Sequence, residues 1–188
     1  SLLHFISSQM NNQQYKKAIG RLYHLAINDG GYYSSPRTFS LGSTPLNEAI
    51  ICANIIVRDF QNTHGVQIVN TVFLTDGEAS GMGFSHYGGR DIIRNDQNRK
   101  TYEVGRVGDH YVPERQALLS YLRDETNTNL IGIYLHFEAN IRRLHNLFYG
   151  EESINKAEEH YKKFNFCVAD KDGYDRNFII RGNTNPRF

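Results

Sequence analysis

Cysteine is scarce in this chain. Only Cys52 and Cys167 occur in 188 residues, which excludes a small disulfide-built scaffold and suits a reducing compartment. Cys52 falls on an apolar helical pattern and Cys167 in a strand-like patch, so both read as buried thiols. No charge of one sign dominates. Lys and Arg total 21 and Asp and Glu 20, a formal net charge of +1. The basic residues are spread along the chain, which argues against a nucleic-acid partner. No apolar run approaches the ~20 residues of a membrane-spanning helix. No basic start leads into the apolar core of a secretory signal. The expected setting is therefore cytoplasmic, with neither membrane nor nucleic acid as partner.

Several catalytic motifs are also absent. There is no Gly-x-x-x-x-Gly-Lys-Ser/Thr phosphate loop, no Gly-x-Ser-x-Gly elbow and no His-Glu-x-x-His zinc helix. Gly81-Met82-Gly83 lacks the helix start and downstream acid of a dinucleotide fingerprint. His136, Glu138 and His145 are too dispersed to read as a zinc site. Asp170-Lys171-Asp172-Gly173-Tyr174-Asp175 lacks the spacing and the closing Glu of a calcium loop and reads as a tight turn.

What is present fits one α/β domain over residues 1–188. Hydrophobic residues make up 39%, enough for a core in a chain of this length. After an apolar segment at 2–10, Asn11 with Gln14 three residues later has the form of a capping box. Tyr15, Ala18, Ile19, Leu22, Tyr23 and Ala26 then recur at helical spacing, and Asn28-Asp29-Gly30-Gly31 stops the helix. Residues 31–43 read as a loop. Thr44 suits an N-cap and Pro45 a first helical position. Leu46, Ala49, Ile50, Ala53, Val57 and Phe60 follow as one apolar stripe, closed at His64-Gly65. Residues 67–75 are apolar on both strand faces, as in a central parallel strand covered by helices on both sides.

A hairpin is predicted from 91–94 and 100–104 around Asn95–Asn98. Beyond it come a helix opened by Pro113, a strand at 130–136, helices at 138–149 and 152–163, and a last strand at 177–181. Strands alternating with helices predict a largely parallel sheet with helices around it.

The chemistry concentrates between residues 41 and 79. Thr44 opens a helix, and Asp76 ends an apolar strand at Thr75-Asp76-Gly77. A hydroxyl and a carboxylate at one end of a sheet are donors that Mg²⁺, Mn²⁺ or Ca²⁺ prefers. Ser43 and Glu78 stand at the rim of the same place. The alternative reading is that Thr44 only caps its helix and Asp76 only shapes its turn. Tyr32, Tyr33, Phe84 and Tyr87 in the flanking loops could either rim a contact surface or pack the loops.

Gly42-Ser43-Thr44-Pro45-Leu46, with a strand ending Leu74-Thr75-Asp76-Gly77-Glu78, resembles the von Willebrand factor A-like domain. The wording is closest to A-domain proteins of T4-like tailed phages. The resemblance covers roughly residues 40–136. It implies a Rossmann-like sheet flanked by helices, with a hairpin insertion near 90–105. It also implies a metal-ion-dependent adhesion site in which Thr44 supplies the second loop and Asp76 the third. The family's first loop, Asp-x-Ser-x-Ser, occurs nowhere in this chain. The resemblance therefore implies that residues 1–188 are the C-terminal part of such a domain. In the family a divalent cation, here Mg²⁺, bridges to an acidic residue of a protein partner. Intracellular members work beside AAA+ ATPases of the MoxR or chelatase type. Two other readings stay open. One is a metal-dependent hydrolase or peptidase with Glu78 as base. The other is a structural or assembly protein of a phage whose metal site is incomplete.

Overall fold

The computed structural model describes residues 6–28, 44–77, 90–95, 98–107 and 110–182. Contacts divide the chain into two units, Ser1–Ser43 and Thr44–Phe188. The first unit contains helix α1, Asn12–Asn28, and its start follows the expected capping box. The Asn11 N–H donates to Gln14 Oε1 at 3.0 Å and the Gln14 N–H donates to Asn11 Oδ1 at 2.9 Å. Two amides that the helix cannot satisfy are thus satisfied reciprocally. Asn11→Ala is expected to cost this end about 1 kcal/mol. Amide exchange at Gln14 should then accelerate about fivefold, while exchange in the second unit stays unchanged.

The second unit is built on a four-stranded sheet in the order β1-β5-β7-β6. Its strands are β1 (Asn70–Thr75), β5 (Asn129–His136), β6 (Phe166–Ala169) and β7 (Arg176–Arg181). β1, β5 and β7 run parallel, and β6 runs antiparallel to β7. A separate antiparallel sheet joins β2 (Arg90–Arg94), β3 (Thr101–Val107) and β4 (His110–Val112). The helices are α2 (Leu46–His64), α3 (Glu114–Thr126) and α4 (Gly150–Phe164), with a 3-10 helix at Arg142–Leu147. The architecture is α/β, with a mostly parallel sheet flanked by helices and the predicted hairpin beside it.

Strand register shows which side chains share a face. Phe73 pairs with Gly132, Gly132 with Asn177, and Asn177 with Ala169, so these four residues lie in one row. The buried clusters lie on this face. Ile50, Ala53, Leu118 and Leu122 from α2 and α3 pack with Phe73 and Leu130. Ile154 and Tyr161 from α4 pack with Cys167 and Ile179. The opposite pleat carries Val72, Leu74, Phe166 and Val168, all exposed. Among the described residues of this unit, the helices occupy one face only. The two-sided covering expected for residues 67–75 is therefore not seen here, and among the described residues β1 pairs only with β5.

Three local expectations shift. Helix α2 begins at Leu46 with Pro45 in the cap position, and no side chain caps it. The helix expected over 138–149 is a 3-10 helix at 142–147. Ile141, Leu144 and Leu147, all buried, recur every third residue, and a 3-10 helix lines up positions three apart. Cys52 is half-buried rather than buried, whereas Cys167 is buried, and both are free thiols. Burial pushes the Cys167 thiol up to about 12, so it stays protonated and inert at neutral pH.

Candidate functional site

The turn after β1 carries Asp76, and its Gly77 lies against Thr44. The Thr75 hydroxyl donates to the Gly77 carbonyl at 2.9 Å and accepts from the Gly77 N–H at 3.2 Å. This closes a tight loop with Asp76 exposed at its tip. Thr44 comes from the residues ahead of α2, and its hydroxyl lies so close to Gly77 that a β-carbon there would collide with it. Glycine at 77 is thus what lets the two segments meet. The Thr44 hydroxyl faces this turn rather than capping α2. Ser43 and Glu78, the expected rim, lie outside the described residues, as do Tyr32, Tyr33, Phe84 and Tyr87.

A pocket of about 270 Å³ opens on the helix-covered face just past Thr75 and Leu46. Its floor is Gly132. A β-carbon at that position would lie 2.9 Å from Asn177 Cγ and 3.0 Å from Tyr174 Cδ2. Without one, Asn177 can lean across β5 and donate its amide to the Asp172 carboxyl. Asp172 is 5% exposed, and burial pushes its carboxyl above the usual carboxylate range. The charge of Arg115 and the bond from Asn177 pull it partly back. Burial also pushes the Tyr174 hydroxyl up to about 12, so it remains a hydrogen-bond donor at neutral pH.

Arg115, in the first turn of α3, sits close enough to influence both groups. Its Nε is buried without a hydrogen-bond partner. The N-termini of α2 and α3 are tied together at the pocket wall, where Asn47 Nδ2 donates to Glu114 at 3.1 Å.

The dispersed residues stay dispersed. His136 Nε2 meets the Asn140 carbonyl at 3.0 Å, and its ring stacks on Tyr134. Glu138 pairs with Arg143 at 2.6 Å. Among the described residues no three His, Cys, Asp or Glu side chains gather as a metal site.

The acidic loop 170–175 is a structural turn. Asp170 accepts from the Tyr149 N–H at 3.0 Å and the Ser153 hydroxyl at 2.6 Å. Asp175 accepts from the Leu130 N–H at 2.7 Å. Sequence reasoning passed over the middle acid, Asp172, and Arg115 with it. The loop's turn signature masks a carboxyl that faces inward, and Arg115 reads as one more solvated charge on a helix. No family model, curated protein or solved structure matches this chain, so the functional reading rests on these residues alone.

Proposed function

We propose that the second unit is a divalent-cation-dependent protein-interaction module of the von Willebrand factor A-like, Rossmann-like kind. One observation supports it above the others: the Thr44 hydroxyl is packed onto the turn that presents Asp76. Two chain segments far apart in sequence thereby offer hard oxygen donors at the C-terminal end of a parallel strand, where open α/β sheets place ligands. Among the described residues, Asp76 has no hydrogen bond or ion pair competing for its carboxylate. Mg²⁺ suits this donor set, since it takes one or two carboxylates and keeps several waters.

Thr44 and Asp76 would hold the ion. The ion, when bound, would offer an open position to an acidic side chain of a protein partner, such as an AAA+ ATPase of the MoxR or chelatase type. Ser43 and Glu78 would border that contact. Two donors hold a cation weakly, so binding by this chain is expected only at millimolar metal. Mn²⁺ titration followed by relaxation enhancement of water protons tests this. Asp76→Ala should abolish the saturable response and Thr44→Val should weaken it severalfold. An unchanged response in Asp76→Ala would remove the metal from this reading.

A further inference from the structure

The pocket floored by Gly132 involves neither Thr44 nor Asp76, and its chemistry is different. Its apolar lining includes Leu46, Phe73, Leu144 and Leu147. Its polar lining includes Arg115, Lys171, Asp172, Tyr174 and Asn177. Arg115 makes no ion pair among the described residues although a buried carboxyl lies nearby, and its Nε has no acceptor. Nε is closed off by its surroundings, but the terminal Nη nitrogens make no hydrogen bond among the described residues and are not shut off in the same way, so they are the donors free to meet an oxygen acceptor. The Tyr174 hydroxyl likewise donates to nothing among the described residues. Helix α3 also opens at this wall without a side-chain cap, and its positive end adds to the same field.

We propose that this pocket binds a small monocarboxylate with a short hydrocarbon body. The carboxylate would take the two Nη donors of Arg115, a planar pair to which a carboxylate is matched, with the Tyr174 hydroxyl as a further donor. The apolar wall would receive the hydrocarbon. Asp172 and Asn177, already bonded to each other, form the polar floor and discriminate against more highly charged ligands. A monocarboxylate is matched by Arg115 alone, whereas a dianionic phosphate would need Lys171 as well while meeting Asp172 and Glu114. The volume of about 270 Å³ lies at the small end of ligand pockets and has room for a short-chain carboxylate.

The test is a titration of the whole chain with sodium butyrate, and separately with inorganic phosphate, followed by amide chemical shifts. Butyrate should saturate, with the largest shifts at Gly132, Arg115 and Tyr174. Arg115→Gln should weaken it at least tenfold. Tyr174→Phe, which removes a hydroxyl without a partner among the described residues, should weaken it severalfold without loss of folding. That variant carries the test if Arg115→Gln folds poorly. Absence of saturation, equal affinity in the variants, or tighter binding of phosphate than of butyrate would each overturn the proposal. Asp76→Ala should leave butyrate binding unchanged, which separates this site from the metal reading.

Discussion

Gly132→Ala should destabilise the second unit by about 2–4 kcal/mol, a large effect for one methyl group. The added carbon would lie 2.9 Å from Asn177 Cγ and 3.0 Å from Tyr174 Cδ2, closer than packed carbons sit. Asn177 is buried and cannot swing into solvent. To move aside it must give up its bond to Asp172. Two costs then combine. Overpacking against buried side chains runs to about 1–3 kcal/mol, and a buried polar group stripped of its partner adds about 1–3 kcal/mol. Urea denaturation checks the total, and the double variant Gly132→Ala/Asn177→Ala checks the mechanism. With Asn177 shortened the clash with its side chain disappears and only the close approach to Tyr174 Cδ2 remains, so the double variant should be more stable than the sum of the single effects by about 1 kcal/mol or more, as for residues in direct contact. Additive losses, or a Gly132→Ala cost below about 0.5 kcal/mol, would mean that Gly132 does not make room for Asn177.

The same pair shows how far the sequence could be read. The elements whose signals are local were legible. Asn11 and Gln14 announced α1, the apolar stripe from Leu46 to Val57 announced α2, and the alternation around Asn95–Asn98 announced the β2–β3 hairpin. Each depends on neighbours within a few residues, which sequence periodicity and cap chemistry report directly. The short strands β4 and β6 were harder, because three or four residues hold too little alternation to stand out. The 3-10 helix was misread as a full helix because Ile141, Leu144 and Leu147 fit both periods at a glance. The resemblance named Thr44 and Asp76, whereas the contact between Thr44 and Gly77 has no local signal in the sequence. The pocket was not anticipated at all. Arg115, Asp172 and Asn177 lie on three elements, and only the β5–β7 register brings Gly132 under Asn177. Ordinary residues acquire chemistry there through long-range pairing, which a single sequence does not display.

Leu130→Ala should cost about 2–5 kcal/mol, whereas Leu74→Ala, on the strand paired with it, should cost less than about 1 kcal/mol. The two leucines sit on opposite pleats. Leu130 pairs with Thr71 in a row that faces α2 and α3, and it is fully buried at 0% exposure. Leu74 points the other way and is 66% exposed. Removing Leu130 leaves a cavity among Leu118, Leu122 and Phe73 that rigid elements cannot collapse to fill. Removing Leu74 takes away surface that already meets water. Parallel sheets are normally covered on both faces because their crossovers supply helices to each side. The strand's apolar sequence on both pleats agrees with that habit, yet in this unit only one pleat is covered among the described residues. Chemical denaturation of the two variants separates the cases. A large gap between them would establish the outer pleat as open in the folded chain. Comparable losses would establish that Val72 and Leu74 are covered in solution, and a concentration dependence of the Leu74→Ala effect would show that a second copy provides the cover.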